Sequence, residues 1–209
     1  MQHIIITGGN TGIGKATALA LARQNSRIIL ACRNKEKALK AIDELKRKTN
    51  NEEVHFLKCD LADLDSVKQF TSNYKDQFGK LDILINNAAT NPVFGPVNEM
   101  EAGVFDKIMG VNVKSPFILS NLCFPIMQER GGGSIIHISS VEGHKPGFGL
   151  GLYSVSKAAL LMLMKNQAKE WGYAKIRSNA ICPGLIKTKF SSALWQNEAL
   201  LKQLEQHLP

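Results

Sequence analysis

Short apolar runs alternate with longer amphipathic ones along the whole chain. Six runs have the length and composition of strands: His3–Thr7, Arg27–Cys32, Glu53–Lys58, Leu81–Asn86, Ser134–Ser139 and Ile176–Cys182. The first four and the last are rich in Ile, Leu and Val, as expected of strands buried on both faces. Between them, helical spacing of apolar residues runs over Ile13–Gln24, Lys35–Lys48, Leu64–Phe78, a long stretch within Ala102–Arg130, and Tyr153–Trp171. Strand–helix alternation requires right-handed crossovers. The pattern therefore predicts one doubly wound α/β domain over residues 1–209, a three-layer arrangement with a parallel sheet between two layers of helices. The predicted strand order is 3-2-1-4-5-6, with Ile176–Cys182 at one edge. After that strand no further strand-like run follows. Leu200, Leu201, Leu204 and Leu208 recur at helical spacing, which predicts a helix over Asn197–Leu208. Gly131-Gly132-Gly133 reads as a turn before a strand, and the loop Asn91–Asn98, with Pro92, Gly95 and Pro96, as the most mobile segment.

Composition narrows the picture only slightly. The chain has 209 residues, 44% of them hydrophobic, enough for one domain with a substantial core. No apolar run approaches the roughly 20 residues of a membrane span, and with His3–Thr7 reading as a strand no secretory leader is expected. Cys32, Cys59, Cys123 and Cys182 are scattered and form no metal-type pair, so reduced thiols in a cytoplasmic protein are expected. The net charge is +8, from 26 Lys plus Arg against 18 Asp plus Glu. The basic residues are interleaved with acidic ones, as in Lys35-Glu36-Lys37, which reads as solvated helix faces rather than a nucleic-acid surface.

Directly after the first strand comes Thr7-Gly8-Gly9-Asn10-Thr11-Gly12-Ile13-Gly14, and a helix follows. The glycines are spaced G-x3-G-x-G, not the commoner G-x-G-x-x-G. The physics is shared: Gly8 permits a tight turn, Gly12 lets backbone approach a pyrophosphate, and Gly14 lets helix pack close to strand. The helix N-terminus then offers free N–H groups to phosphates. At the end of the second strand, about 20 positions after the glycines, an acidic residue would clasp the ribose hydroxyls of NAD. Here that stretch reads Cys32-Arg33-Asn34. A guanidinium suits a 2′-phosphate, which favours NADP(H); the alternative is a surface Arg at a strand end. Asp60 and Leu61 end the third strand. Asp60 would either accept from an adenine amino group, with Leu61 against the ring, or cap the next helix.

Tyr153-Ser154-Val155-Ser156-Lys157 opens the last long helix, with Tyr153 and Lys157 four apart on one face. A free phenol has a pKa near 10. A cation within ~5 Å favours phenolate, and lowering the pKa by about three units corresponds to roughly 4 kcal/mol. Ser139-Ser140 at the end of the fifth strand and Asn112 in Val111-Asn112-Val113 accompany the pair.

Taken together, Thr7–Gly14, Asn86-Asn87-Ala88-Ala89, Asn112, Ser140, Tyr153 with Lys157, and Pro183-Gly184-Leu185-Ile186-Lys187-Thr188 make the chain resemble the short-chain dehydrogenase/reductases, which have a Rossmann-like fold. The matches fall in family order over nearly the whole chain. The resemblance implies Tyr153 as general acid-base toward a carbonyl oxygen, and Lys157 as the cation that lowers its pKa and holds the nicotinamide ribose. Ser140, thirteen positions before Tyr153, would hydrogen-bond the substrate oxygen, or else cap a strand end. Asn112 would place a water linking Lys157 to solvent, or else stitch a bent helix. Asn86, Asn87 and Ala88 would line the coenzyme site. Pro183, Gly184 and Thr188 would close over the nicotinamide, with the Ile186 backbone near its carboxamide.

The resemblance also implies a homodimer or homotetramer built on the Ala102–Arg130 and Tyr153–Trp171 helices. The substrate would lie near Phe94, Glu142, Phe148, Leu152 and Phe190–Trp195. A hydrophobic ketone or alcohol suits that lining, while the basic surface would suit the acidic carrier of a 3-oxoacyl carrier-protein reductase. A non-catalytic dinucleotide-binding scaffold is the reading of a different class. Two departures stand out. The family's Asn-Asn-Ala-Gly is Asn-Asn-Ala-Ala here, which matters if position 89 needs a positive φ. Family members also continue for several dozen residues beyond the equivalent of Pro209.

Overall fold

The computed structural model describes residues 1–196; the helix expected over Asn197–Leu208 lies outside them. Six strands form one parallel sheet in the order β3-β2-β1-β4-β5-β6. They are β1 (His3–Thr7), β2 (Arg27–Cys32), β3 (Val54–Lys58), β4 (Ile83–Asn86), β5 (Gly133–Ile138) and β6 (Ile176–Ile181). The helices are α1 (Gly12–Ala22), α2 (Lys35–Thr49), α3 (Leu64–Phe78), α4 (Ala102–Met109), α5 (Ser115–Glu129), α6 (Gly151–Trp171) and the short α7 (Ser192–Trp195).

Strand periodicity divides the core in two. In β1, Ile5 faces the layer of Phe70 and Tyr74 from α3 and of Leu119, Cys123 and Met127 from α5. Ile4 and Ile6 face the opposite layer, where Ala18 and Ala22 of α1 meet Ala38 and Leu45 of α2. Local chemistry fixes the helix ends. Asn34 accepts from Lys37 N at 2.8 Å to cap α2. Asp63 accepts from the main chain of Asp65 and Ser66 to cap α3, and Gly79 at φ +65° ends it.

Two expectations need correction. The stretch Ala102–Arg130 is not one helix: α4 and α5 are joined by a π-turn over Gly110–Lys114. Pro116 has no N–H to give the Asn112 carbonyl and its ring crowds that carbonyl, so the chain widens there instead of continuing as α-helix. Nor is the last strand buried on both faces. In β6, Ile176 and Ser178 are buried while Arg177 and Asn179 are exposed, because successive side chains point to opposite faces and α6 covers one of them. Among the described residues no helix is long and apolar enough to cross a membrane, and no group of His, Cys, Asp and Glu could hold a metal.

Candidate active site

The carboxyl ends of β1 and β4 meet where the strand order reverses, the usual position for a ligand crevice in an open α/β sheet. Buried Thr7 ties the two ends together: its hydroxyl accepts from Asn87 N at 3.0 Å and Ala88 N at 3.1 Å. Asn87 Nδ2 donates back to the Thr7 carbonyl at 2.8 Å. The glycine turn sits on this scaffold with Gly8 at φ +63° and Gly12 at φ +52°. A Cβ on Gly14 would lie 2.5 Å from Asn87 Nδ2 and 2.6 Å from the Gly8 carbonyl, so helix and strand approach as closely as expected. At the start of α1, Thr11 makes no side-chain cap bond and the first turn carries no acidic residue. Its N–H groups, flanked by Asn10, exposed Thr11 and Gly12, and Ile13, are thus left for an anion, which is the feature a pyrophosphate needs.

The residues expected around the adenosine separate on inspection. Arg33 is exposed at the end of β2 and makes no salt bridge among the described residues. Asn34 is occupied in capping α2. Asp60 does not cap α3; that role is taken by Asp63, and Asp60 Oδ1 accepts from Ala62 N at 3.0 Å within its own turn. Leu61 packs against the core layer beneath α3 and α5. Asn86 turns inward, its Nδ2 3.2 Å from Ser120 Oγ, so its side chain serves the interior. Ala89 is not among the positive-φ residues, so alanine costs nothing there.

The expected catalytic side chains converge at the carboxyl end of β5. Ser140 follows the strand, and its hydroxyl accepts from Glu142 N at 3.2 Å, while its nearest acceptor, the Pro183 carbonyl, is at 3.5 Å. The tight turn Val141–Gly143 presses on α6: a Cβ on Gly143 would lie 3.0 Å from the Lys157 carbonyl. Tyr153 and Lys157 share a face, with Lys157 Nζ 5.4 Å from the Tyr153 ring centroid. Phe190 packs beside the phenol, ring centroids 6.1 Å apart.

The electrostatics differ from expectation. The Lys157 ammonium makes no hydrogen bond to the phenol oxygen; it donates to the Ile138 carbonyl at 2.7 Å. Burial pushes Lys157 down to about 8, with the nearby Cys182 opposing. Burial pushes Tyr153 up to about 12, the Ser140 hydroxyl opposes, and the Glu142 carboxylate adds to the rise. The protein's own groups thus favour the neutral phenol. Spacing of four brings the two side chains together, but a 2% exposed ammonium first satisfies the nearest carbonyl.

Asn112 lies in the π-turn, 1% exposed. Its Oδ1 accepts from Thr90 N at 2.8 Å, and its Nδ2 donates to the Thr90 carbonyl and to Ser156 Oγ, both at 3.0 Å. Its side chain therefore ties the bent helix to α6 and to the Thr90 main chain. Beyond β6, Pro183 and Gly184 lead to a segment folded on itself: Ser191 Oγ donates to the Ile186 carbonyl, and Trp195 Nε1 donates to the Thr188 carbonyl at 2.9 Å. Gly12, built with a Cβ, would touch Thr188 at 3.5 Å, so this segment reaches across to the glycine turn.

Two polar groupings had no sequence signal beyond an isolated polar residue in an apolar run. His137 is fully buried in β5 and bonded to Gln167 at 2.8 Å, and Ser178 donates to the same amide oxygen at 2.9 Å. Cys182 lies 3.5 Å from His144 Nε2.

Comparison with known proteins agrees with this geometry. The family model described as short chain dehydrogenase matches residues 2–199. Dehydrogenase/reductase SDR family member 4 of Oryctolagus cuniculus is 35% identical over 204 residues, covering 98% of this chain and 78% of the rabbit protein. Among solved structures, one from Beutenbergia cavernae with NADP bound at low occupancy superposes with a TM-score of 0.93 at 25% identity, covering 100% of this chain and 82% of that one. Levodione reductase superposes with a TM-score of 0.91 at 28% identity, covering 99% and 81%. The chain belongs to the short chain dehydrogenase family of NAD(P)(H)-linked oxidoreductases.

Proposed function

We propose that the protein transfers hydride between NADP(H) and a carbonyl or alcohol substrate, with Tyr153 as the acid-base. The observation that carries this reading is the convergence of Ser140, Tyr153 and Lys157 at one strand end, beside a helix N-terminus with open N–H groups. When bound, the coenzyme supplies or accepts the hydride at its nicotinamide ring. The glycine turn and the first turn of α1 hold the pyrophosphate, and Arg33 reads the 2′-phosphate. Ser140 is poised as a donor: one lone pair is taken by Glu142 N, and its contact with the Pro183 carbonyl, at 3.5 Å, sits at the limit of a hydrogen bond. Its O–H then orients the substrate carbonyl oxygen. Tyr153, pushed up to about 12, is protonated at neutral pH, the form that gives a proton to that oxygen as hydride arrives. Lys157, near 8, stands close enough to neutrality to pass a proton back toward the phenol. The Asn112 carbonyl, whose α-helical donor position is filled by Pro116, is the group that would hold a water on this route.

Apolar Phe94, Phe148 and Phe190 are exposed around the site and suit a hydrophobic carbonyl compound. Exposed Phe105, Phe117, Val155 and Met162 on α4, α5 and α6 support a homo-oligomer built on those helices. The experiment is coenzyme oxidation by the purified protein with NADPH and NADH against ketones, aldehydes, quinones and 3-oxoacyl thioesters. Turnover with NADPH is expected. Tight NADPH binding with no oxidation across the whole panel would favour a scaffold instead.

A further inference from the structure

Glu142 is held in a way that its neighbours do not require. Its Oε2 accepts from Gly147 N at 2.6 Å and from Ser154 Oγ at 2.8 Å. Ser154 is buried on α6 and directly follows Tyr153. The Glu142 main-chain N–H donates to Ser140 Oγ at 3.2 Å. One residue therefore touches Ser140 through its main chain and the helix that carries Tyr153 through its side chain. The loop is closed tightly on the carboxylate: a Cβ on Gly147 would lie 2.8 Å from Oε1. Behind it, Gly149 at φ +74° lies under the Phe94 ring, where a Cβ would be 2.5 Å from the ring, and its carbonyl accepts from Gly95 N at 3.1 Å.

A neutral amide would make the same two acceptor bonds, so pinning alone does not call for a charge. Yet the charge is kept. Among the described residues no Lys, Arg or His pairs with Glu142, and its Oε1 accepts no hydrogen bond. The nearest cations on its own loop, His144 and Lys145, are exposed, and the Lys157 ammonium is spent on the Ile138 carbonyl. The Phe190 ring beside the Tyr153 phenol would exclude water on that side of a bound substrate, which strengthens charge–charge effects there. The field of Glu142 already reaches the phenol, where it adds to the rise caused by burial.

We propose that Glu142 is a charge-selecting residue of the carbonyl site: its fixed carboxylate disfavours substrates with an anionic group next to the carbonyl, such as 2-oxo acids, and favours neutral carbonyl compounds or ones bearing a hydroxyl or ammonium donor. This rests on the hydride-transfer reading given above. The free Oε1 is the acceptor for that donor. The selection is built into the turn that also orients Ser140, so it acts on the group beside the reacting carbon rather than on a distant tail.

The test is kcat/KM with saturating NADPH for three ketones of matched size carrying a carboxylate, a neutral or an ammonium substituent, in the wild type and in Glu142→Gln. Glutamine keeps both acceptor bonds, so the melting temperature should stay close to wild type; each ratio is taken against the neutral ketone of the same protein, so a change in basal turnover through Tyr153 cancels. The carboxylate-to-neutral ratio should rise at least ~10-fold, and the ammonium-to-neutral ratio should fall, by the loss of one unit charge at short range. If the variant folds poorly, the wild type gives a second measurement. Its carboxylate-to-neutral ratio should rise as ionic strength goes from about 0.02 M to about 0.5 M, since screening weakens the repulsion. Ratios that agree within about twofold between the two proteins, or a flat salt response in the wild type, would overturn the charge selection while leaving hydride transfer standing. No oxidation of either coenzyme with any of the three ketones would instead remove the hydride-transfer reading and this inference with it.

Discussion

Lys157→Met should make the protein more stable and inactive. Burial holds the lysine down from 10.5 to about 8. At 1.36 kcal/mol per pH unit, that gap of about 2.5 units corresponds to about 3 kcal/mol of destabilisation while the group stays charged in both folded and unfolded chains. Methionine fills a similar volume without charge but removes the bond to the Ile138 carbonyl. Leaving that acceptor short costs about 2 kcal/mol. The net gain is about 1 kcal/mol near pH 7, or ~2–4 °C in Tm for a chain of this size. The sign with pH follows from linkage. Below pH 8 the lysine is protonated in both states and the wild type carries its full deficit. Between 8 and 10.5 the unfolded chain binds the extra proton, so wild-type stability rises with pH and the advantage of Lys157→Met disappears. Urea unfolding of both proteins at pH 7, 8, 9 and 10 measures this. A variant less stable than wild type at pH 7, or a stability difference that does not change up to pH 10, would refute the burial account.

Two further outcomes follow from the coenzyme end. Gly14→Ala should lose most NADPH affinity and melt several degrees lower, because its Cβ would sit 2.5 Å from Asn87 Nδ2 and 2.6 Å from the Gly8 carbonyl; isothermal titration and a melting curve check it. Wild type should bind NADPH at least ~10-fold tighter than NADH, about 1.4 kcal/mol, and Arg33→Asp should erase or invert that preference, which competitive titration of the two coenzymes reads directly.

The alternation of apolar and amphipathic runs was enough to place all six strands, because strands buried within the sheet need their own apolar residues, and the observed order is the one expected. It missed the π-turn at Gly110–Lys114, where Pro116 interrupts a helix whose apolar spacing continues on either side. β6 was misjudged for a different reason: its buried and exposed residues alternate because one of its two faces is open, and composition does not show which faces are covered. The motif residues of the site were legible because chemistry constrains their spacing, and Ser140, Tyr153 and Lys157 do meet. Their partners were not. Whether Asn86 faces a coenzyme or Ser120, and whether Asp60 or Asp63 caps α3, depends on side-chain direction at a strand end, which a shift of one residue reverses. Spacing predicts that Tyr153 and Lys157 lie close together, but not that the ammonium finds its acceptor in the Ile138 carbonyl.

The central claim is hydride transfer with proton donation from Tyr153. It is tested most directly with NADPH deuterated at the transferring C4 position and a ketone that the wild type reduces. Mass spectrometry of the alcohol should find one deuterium on the carbinol carbon with the wild type. Tyr153→Phe should bind the coenzyme within a few-fold of wild type and lose nearly all of that product, because it lacks the only phenol beside Ser140. Unlabelled alcohol from the wild type, or a Tyr153→Phe rate above about a tenth of wild type, would contradict the account.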